Sequence, residues 1–447
     1  MQLIKKVLQV GYANIVQVLL GIVLGFIVPK FLSIQDFAEY KTYTLIAGYI
    51  GIFHLGFVDG LYVDYGGKNL IKLDKERLRS EFIFFTLLQV FISIIILIIS
   101  SLSSYKIGIL IALSILPYNL NMYLKRIYQS TDKLEWYSKC LVLYSIVNGL
   151  LCIVLSLVFK IDSAIPYCIA MILSNVIVLI SEMKRMINFL GFGPIKFEIN
   201  RYRELFHSGF IILLGNLAVN FFYGIDRWVV KIFFTDKEFS FYSFAVSMLN
   251  IVTTVLQAIS ISMFSYFAKN DYKKNLSSIR SLIICIGTLS SLIYFFLNFI
   301  VKIILPEYVG SLEIISISMA IFPFMLYINA VTINLYKINH NEKKYLFVMI
   351  VMLLLVSMLD MSVLVFNNYI IVAWSTLFCY ILWYFYSRYE VKNLDKLEWN
   401  EIFYLIFMTV SYLKLSHDGT YFGGILYLII WILMSVWFMW DYIKNIL

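Results

Sequence analysis

The chain has 447 residues, of which 61% are hydrophobic and only 14% charged, and its mean hydropathy is strongly positive. No soluble domain of this length could hide so much apolar surface from water, so the composition excludes a soluble fold and predicts an integral membrane protein. A formal charge of +9 would also suit a nucleic-acid partner, but the basic residues sit at the edges of apolar runs, where lipid headgroups and membrane topology account for them.

Alternating ten-residue segments, the mark of an outer-membrane barrel, are absent. That leaves helices as the spanning element, since a backbone in lipid must satisfy its own polar groups. MQLIKK followed by uncharged residues 7–29 has the charge order of a signal peptide, but the apolar run is too long and lacks a small-x-small cleavage site. It reads as a retained first helix over 7–28, with Asn14 and Gln17 on one face. The second helix, over 38–58, has Lys41 in its first turns and His54, Asp59 and Asp64 near its other end. Further apolar runs predict helices over 82–104, 107–124, 140–159 and 163–181, followed by the longest internal connection, 182–206. A seventh helix over 207–225 carries Asn216 and Asn220 one turn apart, and it ends at DRWVVK, where Asp226, Arg227 and Lys231 stand together. The remaining spans fall at 240–266, 281–301, 314–335, 345–366, 369–387, 401–415 and 421–440, about fourteen in all. Asp360 lies deep in the eleventh with no basic residue near it in sequence. The thirteenth is closed in by Glu401 and Lys414, so the expectation is either fourteen helices or twelve with a peripheral C-terminal pair.

With the N-terminus cytoplasmic, roughly three quarters of the 36 Lys and Arg fall on the cytoplasmic side. The bias recurs in KNLIKLDKERLR, KRIYQSTDK, KRMINFLGFGPIKFEINRYR and KNDYKKNLSSIR, and it predicts that both termini are cytoplasmic. Cys140, Cys152, Cys168, Cys285 and Cys379 all lie in apolar runs without a CxxC pair, as small packing residues rather than a disulfide frame or metal site. The 182–206 connection divides the chain into a six-helix lobe (1–190), a second six-helix lobe (191–390) and a C-terminal pair (391–447). A short repeat supports two matched blocks: VPKFLSIQDFAEY after the first helix and VVKIFFTDKEFSFY after the seventh. They align Lys30 with Lys231 and Asp36-Phe37-x-x-Tyr40 with Glu238-Phe239-x-x-Tyr242, about 200 residues apart. Both blocks start from the same side, so the repeats are expected to be parallel.

The run Asp226, Arg227, Val229, Val230, Lys231, Glu238, Phe241, Tyr242, Ser243, Ala245 resembles the polysaccharide-exporter branch of the multidrug/oligosaccharidyl-lipid/polysaccharide (MOP) superfamily, the Wzx-type O-antigen and capsule flippases. PKFLSIQDFAEYKTYTLI and LGFVDGLYVDYGGK resemble the same family's first block. The resemblance implies an all-α, MATE-like bundle of two pseudo-symmetric six-helix lobes plus a C-terminal pair. It also implies a bacterial inner-membrane flippase that moves an undecaprenyl-diphosphate-linked oligosaccharide to the outer leaflet by alternating access. Its partners would be that substrate, membrane lipids, a proton or sodium ion for coupling and polysaccharide polymerase machinery, with no cofactor. One departure stands out: related precursor flippases often carry an arginine in the first helix, whereas residues 7–29 are uncharged.

A charge near mid-membrane costs at least ~2.5–3.5 kcal/mol on insertion scales, so a retained one needs a pairing or functional reason. Arg227 suits bidentate phosphate binding with Asp226 as its resting partner, or equally a structural ion pair at a helix end. Lys231 and Lys30 suit snorkelling anchors, and Lys41 a local ion pair or a cavity cation. Asn14, Gln17, Asn216 and Asn220 suit sugar hydroxyls or interhelical hydrogen bonds. Asp360, with His54 and Asp59 as a second cluster, suits proton or cation coupling, against near-surface or packing roles. Pro29, Pro117, Pro166 and Pro323 lie in or at the ends of spans and are candidates to bend them. Walker, HExxH and Asp-x-Asp signatures are absent and the four histidines are scattered, so no catalytic residue is assigned and the chain does not read as an enzyme. The alternatives are a cation-coupled multidrug exporter and, less favoured for want of a large external loop, a membrane polysaccharide polymerase.

Overall fold

A computed structural model describes residues 2–269, 276–339, 341–391 and 397–440, and these are helical almost throughout, with no strand among them. Among the described residues, eleven helices are long and apolar enough to cross a membrane, or up to thirteen if each of two bent pairs is one span. This is a multi-pass membrane protein. The chain forms two compact units, Met1–Phe221 and Phe222–Leu447.

The first unit holds α1 (Gln2–Phe31), α2 (Ile34–Ala47), α3 (Phe57–Asp64), α4 (Lys75–Leu102), α5 (Lys106–Ser130), α6 (Leu134–Ile153), α7 (Ala164–Leu190) and most of α8 (Ile199–Phe222). Several of these helices outrun the apolar stretches that predict them, because charged ends continue as helix and find partners there. In α5 the segment Lys125 to Ser130 is helical. Its i, i+4, i+7 row Ile115, Asn119, Met122 runs on to Arg126, so the charge does not end the element. An aromatic stack forms part of the core, with Phe57 5.4 Å from Phe85 and Phe85 5.5 Å from Tyr123 between ring centroids.

The second span is broken. Between α2 and α3 the chain passes through a 3-10 turn, Ile50–His54, then Leu55 (φ 54°) and Gly56 (φ 89°), and the two halves meet at 61°. No proline is involved. Carbonyls freed by such a break must be satisfied inside the protein. Gln89 Nε2 donates to the Phe53 carbonyl (3.1 Å) and Asn119 Nδ2 to that of Ile50 (3.4 Å), while Asn119 also donates to Gln89 Oε1 (2.7 Å). Gly56 and Gly60 then let α3 meet α8 backbone to backbone: a Cβ on Gly60 would strike the Leu205 carbonyl, and one on Gly209 would strike Gly56 and Gly60. Of the four proposed bending prolines, Pro323 sits at the other sharp bend, 46° between Pro306–Met319 and Phe322–Ile338. Pro29 and Pro117 are absorbed inside α1 and α5.

The second unit continues with α9 (Ile225–Phe233), α10 (Asp236–Lys269), α11 (Leu276–Ser290), α12 (Ile293–Ile304), α13 (Leu312–Met319), α14 (Phe322–Tyr327), α15 (Ile333–Ile338), α16 (Glu342–Asp360), α17 (Val363–Phe366), α18 (Ile370–Glu390), α19 (Trp399–Asp418) and α20 (Tyr421–Phe438). The α19 helix is a continuous 20 residues despite the charges that make it doubtful in sequence. Glu401 in its first turn is fully buried and held by Arg388 Nε (2.9 Å), Arg280 Nε (3.2 Å) and the Tyr384 hydroxyl.

The repeated motif has a shared local cause. In α2, Ser33 caps the helix by accepting from the Asp36 amide (3.1 Å), and its hydroxyl bonds the Asp36 carboxylate (2.5 Å). At the start of α10, the Thr235 amide and hydroxyl both donate to Glu238 Oε2 (2.9 and 2.7 Å), and Thr235 Oγ1 accepts from the Glu238 amide (3.4 Å). Both place an acid three residues after the cap; at Thr235 the bonds close a reciprocal capping box, whereas at Ser33 the acid bonds the cap hydroxyl. Phe37, Tyr40, Phe239 and Tyr242, which follow the acids, are all buried.

Candidate functional site

In the second unit the DRWVVK segment does not close a span. The chain turns at Tyr223-Gly224 and a new helix, α9, begins, with Asp226 and Arg227 in its first turn. Asp226 Oδ1 accepts from the Arg227 amide (2.7 Å) and Oδ2 from the Tyr242 hydroxyl of α10 (3.1 Å). The Arg227 side chain is half-buried, and its Nε is buried without a hydrogen-bond partner. Asp360, at the end of α16, is fully buried. Ser375 of α18 is its neighbouring hydroxyl, and Asp226 is close enough to repel it. Tyr242 feels both acids. The structure therefore brings together two acids that are remote in sequence, Asp226 and Asp360. Two carboxylates that repel each other in a low-dielectric interior make it costly to charge both at once. Beside them is a cavity of about 100 Å³ whose polar lining includes Asp226, Tyr223, Asn250, Thr253, Thr376 and Tyr380. At ~30 Å³ per water, that is room for a few waters or a partly hydrated ion.

The first unit has its own buried acid, at the broken span. His54 and Asp59 are each 1% exposed. The His54 Nδ1 accepts from the Gly56 amide (3.0 Å), which leaves the ring proton on Nε2, 3.7 Å from Asp59 Oδ2. Asp59 Oδ1 lies 3.8 Å from Arg126 of α5, and the carboxylate is bonded by Asn216 of α8. Thus His54, Asp59 and Asn216 come together, around an arginine that the sequence reading places in a loop after the fourth span.

The other predicted site residues are more scattered. Asn14 is exposed and Gln17 half-buried on α1. Asn220 is exposed, and its backbone carbonyl accepts from the Tyr49 hydroxyl (3.3 Å). Lys41 lies over the rings of Phe37 (5.1 Å) and Tyr40 (5.6 Å). Lys231 is paired with Asp236 (2.6 Å) and lies over Phe239 (5.1 Å).

No protein-family model matches the chain, and no curated protein is similar to it in sequence. Solved structures are similar in fold. The lipid II flippase MurJ in an inward closed conformation superposes with a TM-score of 0.71 over 99% of this chain and 99% of its own, at 17% identity. An inward-facing multidrug resistance MATE family transporter of the MOP superfamily gives 0.57 over 86% of this chain and 96% of its own, at 12% identity. The chain shares the fold of these two transporters.

Within this fold, two groups of charges escape a sequence reading. Arg280 (1% exposed) and Arg388 (0%) count as headgroup cations by position, yet both are buried against Glu401. Arg201 forks onto Asp64 (3.1 and 2.5 Å) and reaches the buried Glu81 (3.1 Å), which also accepts from Tyr65 (2.6 Å). Only helical periodicity carried beyond the apolar run could have found them, because each partner lies on a different helix.

Proposed function

We propose that this protein is a flippase for an undecaprenyl-diphosphate-linked oligosaccharide, working in the bacterial inner membrane with both termini cytoplasmic and serving assembly of O-antigen, capsule or exopolysaccharide. The observation that carries this reading is the likeness in fold to a lipid II flippase over nearly the whole of both chains, joined to the Wzx-like motifs. Arg227 receives phosphate oxygens: its buried Nε lacks a partner and a guanidinium matches phosphate geometry. Lys41 and Lys231 add positive charge, and Asn14, Gln17, Asn216 and Asn220 offer amides to sugar hydroxyls. Asp360 together with Asp226 takes up the coupling proton or sodium ion, and His54 with Asp59 forms a second titratable pair. Membrane lipids and the polymerase that joins repeat units are the further partners. Cells lacking the protein are expected to accumulate the lipid-linked repeat unit on the cytoplasmic leaflet, assayed by enzymatic labelling of spheroplasts and inverted vesicles. Undiminished surface polysaccharide in such cells would refute the proposal.

A second reading, a cation-coupled multidrug exporter, draws on the facing acids Asp226 and Asp360 and on the likeness to a MATE transporter. It predicts drug hypersensitivity in the deletion strain with normal polysaccharide.

A further inference from the structure

Residues 7–29 of the first helix carry no charge, and beside Lys41 the broken second span offers the first unit a further cation for an anionic cargo. Arg126 reaches to 3.8 Å from Asp59 just beyond the break, with its side chain 29% exposed. It lies over the Tyr62 ring (5.2 Å), donates to Gln129 (3.3 Å) and has Tyr118, Tyr137 and Lys125 as further titratable neighbours. Among the described residues its acidic partner is Asp59, which lies 3.8 Å away and is itself almost wholly buried. Of the two Asp59 oxygens, Oδ2 has no hydrogen bond. The groups facing this carboxylate are His54 from the break, Arg126 from α5 and the neutral Asn216 from α8, and α4 contributes the neutral Gln89 to the break.

We propose that Arg126 is an anion-receiving residue of the first unit, kept in reserve by Asp59, and that a proton bound at Asp59 Oδ2 hands it over to a diphosphate or similar oxyanion. The proton comes from water and goes to Oδ2 because that atom can take it without a bond being broken. At His54 Nδ1 it would have to displace the Gly56 amide. The carboxylic acid keeps its bond to Asn216 but no longer attracts the guanidinium, so the cation is left to the cargo. Proton binding and anion binding at this site are then positively coupled, each favouring the other to the same degree. Asp59 acts here as a positioning residue, through Arg126. The identity of the anion rests on the proposed function, whereas the exchange between Asp59 and Arg126 does not.

The test uses full-length protein in phosphatidylcholine nanodiscs, with farnesyl diphosphate as probe and farnesol as the uncharged control. Wild type is expected to bind the diphosphate about tenfold more tightly near pH 5.5 than near pH 7.5, the size of one charge-assisted contact. Asp59→Asn should bind tightly at both, Arg126→Gln weakly at both, and Arg126→Lys in between. An Asp59→Asn protein that keeps the wild-type pH response, or an Arg126→Gln protein that binds like wild type, overturns the proposal. Should wild type bind no diphosphate at all, the cargo reading fails, and the exchange is judged separately by phenylglyoxal modification mapped by mass spectrometry. Arg126 should react several-fold faster in Asp59→Asn than in wild type, with exposed Arg203 as internal reference. Equal rates would sink the exchange itself.

Discussion

Asp360 conspicuously breaks the apolar pattern of its helix, and its full burial with Ser375 as its neighbouring hydroxyl turns that anomaly into a chemical demand. With Asp226 as its neighbour, a second carboxylate must be neutralised or bridged for the interior to stay apolar. Asp360→Asn removes the demand while preserving shape. The expected outcome is a protein of unchanged abundance whose transport no longer responds to collapse of the proton or sodium gradient, read by a vesicle flux assay under each ionophore. Arg227 poses the complementary case. Ala at this position should abolish export at normal membrane abundance and Lys should restore part of it, because a point charge replaces the guanidinium fork incompletely. Export by the Ala variant at the wild-type rate would leave Arg227 a helix-end anchor. The sequence exposes both residues as anomalies. It does not reveal that they converge, since Asp226 and Asp360 are brought together by the packing of α9, α10, α16 and α18.

Among the elements, the broken second span is the clearest device. A helix interrupted in lipid is tolerated only where its freed carbonyls and amides are met. Here Gln89, Asn119 and the His54 ring meet them, while Gly56, Gly60 and Gly209 remove the side chains that would hold α3 off α8. Gly209→Ala therefore forces backbone apart from backbone. It is expected to cost about 1–3 kcal/mol or more and to lower the thermal midpoint in detergent. Gly21→Ala, which meets open space, should leave the midpoint unchanged or slightly raised. Equal midpoints for the two would mean that the α3–α8 contact is looser than drawn. The LGFVDG stretch is legible as a motif, but its meaning is not, since the glycines answer to a helix that lies far along the chain. By contrast, the caps at Ser33 and Thr235, each with an acid three residues on, follow from local spacing, while Asp36 adds a distant bond, accepting from the Ala164 amide (3.2 Å).

For the whole molecule, the C-terminal helix pair is tied into the second unit by hydrogen bonds such as Tyr427 to the Thr288 carbonyl (2.8 Å) and, at its start, by one buried carboxylate shared between two buried arginines. Removing one member of such a group leaves uncompensated charge in the interior. Glu401→Ala is accordingly expected to destabilise by about 3–5 kcal/mol, visible as early unfolding or proteolysis of residues 399–438. A variant as stable as wild type would show that Arg280 and Arg388 are served by other partners. Composition and the order of apolar runs by themselves determined that the chain lies in a membrane as helices, and approximately where, because lipid imposes its length and polarity on every span separately. The repeat and the capping signals could be read for the same reason, as they rest on neighbours within a few residues. Which charges are buried, which acids face each other and which arginine waits beside Asp59 were decided only by tertiary structure, because a charge in a low-dielectric interior is stabilised by partners that packing delivers from other helices.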